Sequence, residues 1–282
     1  MNTIAVLGAG TMGHGIAHAA IAGGFTTCLF DVSAQQLDTA RAAVDGIVRK
    51  SVELGKLPAA SAAPMLARLS TTTVLAEAAS GADFVIEAVP ERVDLKLALF
   101  SELEPLLGAD TVIASNTSAL SITELATALS RPGRLAGMHF FNPVHKMKLV
   151  EIVRALESSQ AAIDAIEEVA HRMGKETVVV RESAGFITSR VNALIGNEAF
   201  YMLQEGVASA RDIDKALKLG LNHPMGPFEL VDLVGLDTRL SVLEYLHKSL
   251  GEKYRPCPLL VQHVKAGRLG RKVGKGVFEY LD

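Results

Sequence analysis

Gly8-Ala9-Gly10-Thr11-Met12-Gly13 has the form G-x-G-x-x-G, and what lies on either side of it decides the fold. The apolar run Ile4-Ala5-Val6-Leu7 reads as a strand entering the turn, and the Ala-rich segment 12–22 as a helix leaving it. A second strand, 26–31, ends in an acid, Asp31, placed 18 residues beyond Gly13. A glycine turn alone says little. Strand, turn, helix and acid-tipped strand together form the fingerprint of a dinucleotide-binding βαβ unit. Gly8 serves the tight turn, Gly10 lets a pyrophosphate reach the backbone, and Gly13 lets the helix lie close on the strand. With Ala9, Thr11 and Met12 between them, the helix start offers N–H groups and a positive dipole to phosphate. Asp31 suits the hydroxyls of the adenosine ribose and repels a 2′-phosphate, and Val32-Ser33 brings no arginine to compensate. The cofactor expected here is NAD rather than NADP.

Outward from this unit the pattern repeats. Short apolar runs at 84–88, 112–115, 135–138, 149–153 and 176–180 alternate with helical stretches at 33–54, 95–107 and 121–129. Nearly all-apolar strands separated by helices predict a parallel sheet covered on both faces, a doubly wound α/β domain of the Rossmann type. After about Arg181 strand character ends. Segments 187–205, 209–219 and 227–250 carry helical periodicity, with Ser209 as a cap and the cluster 222–227 as a turn. The expected division is a Rossmann-type domain over 1–182 and a smaller all-helical domain over 183–282, serving the substrate cleft and dimerisation. The Gly-, Lys- and Arg-rich tail 267–276 reads as a loop.

Composition narrows the class. With 49% apolar and 21% charged residues the chain of 282 residues is globular, and a formal net charge of −3 gives no general attraction to nucleic acid or anionic membranes. No basic segment precedes the first strand, so the N-terminus predicts neither a signal peptide nor a membrane span. Cys28 and Cys257 suggest no disulfide framework and no metal cluster, in keeping with a soluble cytoplasmic protein.

The chemistry is carried by Gly137-Met138-His139-Phe140-Phe141-Asn142-Pro143, which follows a strand near the expected carboxyl edge of the sheet. Glu151 lies twelve residues past His139 and interrupts the apolar run Leu149-Val150-Glu151-Ile152-Val153. A carboxylate inside such a strand is costly unless it is paired, and His139 is the candidate partner. Oxidation of an alcohol by hydride transfer needs a base for the hydroxyl proton, and a neutral imidazole oriented by a carboxylate suits that task. Ser118, in Ser115-Asn116-Thr117-Ser118, and Asn142 can hydrogen-bond the reacting oxygen or the nicotinamide amide. Read from the residues alone, a histidine among aromatic rings is also what an ordinary core contains.

The glycine motif, Ser115-Asn116-Thr117-Ser118, His139-Phe140-Phe141-Asn142-Pro143 and Pro224-Met225-Gly226-Pro227-Phe228-Glu229-Leu230 together resemble the L-3-hydroxyacyl-CoA dehydrogenase family, over essentially the whole chain. The single-function 3-hydroxybutyryl-CoA dehydrogenases are the most similar branch. The resemblance implies that His139 is the base and Glu151 its orienting partner, and that Ser118 and Asn142 line the joint nicotinamide and substrate site. It implies cofactor contacts for Glu91, Lys96 and Lys272, and an acyl-CoA substrate met by Lys50 and Lys56. In the helical domain the apolar periodicity of segments such as 227–250 exceeds what one face needs, which suggests a homodimer. Taken singly, Lys50 and Lys56 fit a solvated helix face as well. One position departs from the pattern. Where the family often has Gly-Phe-x-x-Asn-Arg, this chain reads Gly185-Phe186-Ile187-Thr188-Ser189-Arg190, and the hydroxyl of Ser189 must meet substrate at closer range or through water.

Two other classes fit a dinucleotide fold. A Rossmann dehydrogenase of small hydroxy acids often carries a catalytic lysine on the linking helix, and 186–197 contains none. A non-catalytic, crystallin-like NAD-binding relative would have no use for an intact His139–Glu151 pair.

Overall fold

The computed structural model describes residues 1–280 and divides into two compact units, Met1–Ser183 and a second from Ala184 onward. The first unit runs β1 (Thr3–Leu7), α1 (Thr11–Ala22), β2 (Thr26–Phe30), α2 (Ala34–Glu53), α3 (Ala59–Leu66), β3 (Leu69–Thr72), α4 (Leu75–Ala79) and β4 (Phe84–Glu87). It continues through α5 (Val93–Leu103), β5 (Val112–Ser115), α6 (Ile122–Ala126), β6 (Leu135–Phe140), β7 (Leu149–Arg154), α7 (Gln160–Arg172) and β8 (Glu176–Arg181). One eight-stranded sheet holds them in the order β3-β2-β1-β4-β5-β6-β7-β8. The order reverses at β1, and a doubly wound sheet binds its ligand at such a switch point, outside the carboxyl ends of its strands.

Strands β1 to β6 are parallel, as the alternation predicts. β7 is not: it runs antiparallel to β6, and β8 then runs parallel to β7. The reason lies in the connections. A parallel neighbour needs a crossover of a dozen residues or more, and segment 141–148 is too short for one, whereas α7 supplies the crossover to β8. β3 was absent from the expected strands because Leu69-Ser70-Thr71-Thr72 is short and three of its four residues bear hydroxyls, and it pairs only with β2 among the sheet's strands.

Ile4, Val6, Phe84, Ile86, Met138 and Ile152 bring the central strands into one buried cluster with Ile16 and Ala20 of α1 and Ile163 and Ile166 of α7. α1 lies so close to β1 that a Cβ on Gly13 would stand 1.7 Å from the Gly8 carbonyl oxygen, the close approach expected of the third glycine. Gly8 itself turns at φ +99°, a conformation that a side chain resists.

His18 of α1 is 9% exposed and its Nδ1 has no hydrogen-bond partner. Burial, helped by the neighbouring His145, Lys175 and His14, pushes its imidazole from 6.5 down to about 4. The folded chain therefore binds fewer protons here than the unfolded one. The resulting stability is complete above about pH 6.5 and drains away as pH falls toward 4, to a limit of about 3 kcal/mol. Urea midpoints measured at pH 7.5 and 4.5 should differ less in His18→Leu than in the parent. An identical difference in both proteins would remove His18 from this role.

The second unit is all helical: α8 (Thr188–Gln204), α9 (Ala210–Gly220), α10 (Pro227–Val234), α11 (Leu236–Leu250) and α12 (Pro258–Lys265). The expected single helix over 227–250 is two, because Gly235 adopts φ +106° and breaks it. α12 was not anticipated. Its start is marked by Pro258 at the first helical position, preceded by the buried Cys257. Ser209 caps α9 through the Asp212 N–H, as the sequence suggests. No side chain on Gly226 can cap α10, so the carboxylate of Asp214 accepts from Phe228 N and Glu229 N instead. Phe200, Phe228, Leu243, Leu246 and Tyr254 form the core, with Phe200 and Phe228 edge to face at 5.1 Å.

The tail predicted as a loop over 267–276 holds one short 3-10 turn, Arg271–Val273, and the residues just beyond it dock on α10. Asp232, 1% exposed, accepts from Val277 N, Phe278 N and Tyr280 Oη at 2.8, 2.9 and 2.9 Å. A Cβ on Gly276 would stand 2.0 Å from the same carboxylate, so glycine there makes the docking possible. Among the described residues no helix is long and apolar enough to cross a membrane.

Candidate active site

The glycine loop leaves the carboxyl end of β1. Around Gly10 the space where a Cβ would sit has no atom within 4 Å, and no side chain caps α1. No acid occupies the helix's first turn. Exposed backbone N–H groups, a positive helix end and room at Gly10 fit an anionic pyrophosphate. Asp31 stands just beyond β2 and already works for the loop: Oδ2 accepts from Ala9 N at 2.8 Å and Oδ1 from Ser33 N at 3.0 Å. A carboxylate has about four acceptor positions, so both oxygens keep capacity for ribose hydroxyls. Gln36 completes the brace, donating from Nε2 to the Ala9 carbonyl at 3.0 Å.

At the carboxyl ends of β4 and β5 the structure shows a second set. Glu91 accepts from Thr117 Oγ1 at 2.5 Å and from Ser118 N at 2.8 Å, so it shapes the turn that carries Ser118. Lys96 is 1% exposed, and its ammonium lies 2.5 Å from Glu87 Oε1 and 3.4 Å from Glu91 Oε2. Glu87 also accepts from Ser115 Oγ at 2.6 Å and from Val89 N at 2.8 Å. Burial pushes the Glu87 carboxyl up, and the Lys96 ammonium, Ser115 and Val89 N–H counter it. In this geometry Lys96 is first a buried counter-ion for Glu87. Glu87 went unread in the sequence, although a carboxylate closing Phe84-Val85-Ile86 is the same signal that singled out Glu151.

The third set is the pair on β6 and β7. Antiparallel pairing places His139 directly opposite Glu151. His139 Nδ1 lies 2.8 Å from Glu151 Oε2, with the two residues 4% and 0% exposed. An ionised carboxylate only accepts, so this contact suits a neutral ring with its hydrogen on Nδ1 and its lone pair on Nε2. The Phe141 ring packs on the imidazole at 4.5 Å between centroids.

Asn142 is exposed on segment 141–148, which buried Lys175 secures by donating to the carbonyls of Val144 and Met147 at 2.5 and 2.9 Å. The glycine loop, Glu91, Ser118 and His139 thus gather along the carboxyl edge of one sheet.

The remaining expected residues are carried by other elements. Lys50, in the last turn of α2, pairs with Glu53 at 3.0 Å on the surface, and Lys56 is exposed in the turn that follows. Ser189 is half-buried in the first turn of α8. Lys272 belongs to the second unit, where its ammonium meets both oxygens of Asp237 at 2.7 and 2.6 Å.

Comparison with known proteins matches this arrangement to a family in two parts. Residues 3–183 match "3-hydroxyacyl-CoA dehydrogenase, NAD binding domain", and residues 185–280 match "3-hydroxyacyl-CoA dehydrogenase, C-terminal domain". The chain is 44% identical to a probable 3-hydroxybutyryl-CoA dehydrogenase of Bacillus subtilis, over 98% of this chain and 96% of that protein. It is 42% identical to the 3-hydroxybutyryl-CoA dehydrogenase of Bradyrhizobium diazoefficiens, over 98% and 94% of the two chains. The crystal structure of (S)-3-hydroxybutyryl-CoA dehydrogenase from Ralstonia eutropha superposes with a TM-score of 0.96 at 41% identity, covering 100% of both chains. With a switch point built for NAD and a full-length match in sequence and structure, the chain belongs to the NAD-dependent 3-hydroxyacyl-CoA dehydrogenases.

Proposed function

We propose that the protein interconverts a short-chain L-3-hydroxyacyl-CoA, 3-hydroxybutyryl-CoA, and its 3-ketoacyl-CoA, using His139 and Glu151 as a catalytic pair. The buried 2.8 Å bond between them, at the sheet edge that carries the glycine loop, supports this reading most directly. Bound NAD supplies the hydride acceptor. In the oxidative direction His139 takes the 3-hydroxyl proton at Nε2, and the Glu151 carboxylate stabilises the imidazolium so formed. In the reductive direction the same nitrogen returns the proton. Ser118 and Asn142 donate hydrogen bonds toward the developing carbonyl or the nicotinamide amide. Lys50, Lys56 and Ser189 serve the acyl-CoA, and Lys272 the cofactor. Leu219, Leu221 and Leu233, large apolar side chains exposed on the second unit, suit a homodimer, which the solution mass tests.

NADH oxidation on addition of acetoacetyl-CoA, with NADPH as control, tests the reading. Rapid NADH-dependent turnover is expected. If NADH binds but acetoacetyl-CoA is not reduced, the substrate assignment falls. Equal use of NADPH would overturn the role given to Asp31.

A further inference from the structure

The ladder between β5 and β6 ends where Ser115 stands opposite Gly137. Beyond that point the two chains carry Ser118 on one side and His139 on the other, and Asn116 links them. Its main-chain N–H donates to the Glu87 carbonyl at 2.8 Å, which ties it to β4. Its side-chain Oδ1 accepts the Phe140 N–H at 2.9 Å. A side-chain amide thus does what the next strand carbonyl would do if pairing continued. The N–H it holds belongs to the peptide joining His139 to Phe140. His139 is therefore gripped twice, through its ring by Glu151 and through its following peptide by Asn116. On the other side of Asn116, Thr117 and Ser118 are held by Glu91.

We propose that Asn116 is a positioning residue that sets the spacing between Ser118 and His139 by carrying strand pairing past the end of the ladder. The inference rests on the catalytic reading of His139 given above. Reacting groups tolerate little displacement, since about 1 Å of misplacement can cost ~10²-fold in rate.

Two substitutions separate anchoring from other roles. Asn116→Ala removes the acceptor, while Asn116→Asp keeps an oxygen at the same reach for the Phe140 N–H. With acetoacetyl-CoA and NADH, kcat of Asn116→Ala should fall roughly 10- to 100-fold, with NADH affinity and Tm near those of the parent. Asn116→Asp should recover most of that loss. Hydrogen exchange at the Phe140 amide reads the anchor without catalysis: it should accelerate in the alanine variant and stay slow in the aspartate variant. Parent-like kcat in Asn116→Ala would overturn the proposal, as would loss of NADH binding in step with the rate. So would an aspartate variant that keeps Phe140 protected yet is as slow as the alanine variant. If the parent enzyme itself reduces no acyl-CoA, the dehydrogenase reading fails, and Phe140 exchange still decides whether Asn116 anchors the strand end.

Discussion

Replacing His139 with alanine is expected to lower kcat for acetoacetyl-CoA reduction by about 10³-fold while NADH still binds. The ring is nearly buried, bonded to Glu151 and packed on Phe141, so its position is set before substrate arrives. Reduction requires a proton at the nascent alkoxide, and a positioned imidazole supplies roughly 10²–10⁴-fold of rate by general acid–base transfer. The glycine loop lies on β1 and α1 and does not depend on the ring, which is why cofactor affinity should survive. His139→Gln fills the same space without a titrating group and should be comparably slow, which separates proton transfer from lost packing. Single-turnover measurement of NADH absorbance is the direct check. Parent-like rates in either variant would remove His139 from the chemistry.

Glu151→Gln should cost a similar amount, about 10²–10⁴-fold in kcat, by a different route. A carboxylate can only accept, and so it compels Nδ1 to carry the hydrogen. A glutamine amide presents both a donor and an acceptor, so the ring is no longer held to one tautomer, and the imidazolium loses its counter-charge. Stability should move the other way or not at all, because the substitution takes a charge out of a fully buried site and leaves its shape. A slow enzyme with Tm at or above that of the parent is the expected pair of results. A variant that is both fast and less stable would make Glu151 a packing residue.

What the chain disclosed beforehand follows from how local each signal is. The β1–α1–β2 unit was legible because glycines, strand, helix and Asp31 all lie within one short segment. Glu151 was legible because a carboxylate in an apolar strand must have a reason. β3 was hidden by its hydroxyl-rich composition, and the reversed direction of β7 is a property of connection length that strand patterns do not display. Helical periodicity ran unbroken through Gly235, whose positive φ belongs to its tertiary setting. The residues of the site that escaped notice, Glu87, Asn116 and Lys175, make no direct chemical claim. They hold other groups in place, and such roles emerge only when distant strand ends are brought side by side.

The reversal of β7 has a consequence for how such an enzyme can diversify. His139 and Glu151 face one another because they are partners in an antiparallel ladder, not because of the length of chain between them. An insertion within 141–148 would lengthen the bridge and leave the pair facing each other. A one-residue slip of β7 against β6 would instead set Val150 or Ile152 opposite His139 and turn the carboxylate to the other face of the sheet. The connecting segment can therefore vary in length and sequence while the His139–Glu151 contact is inherited intact, and what that contact requires is register.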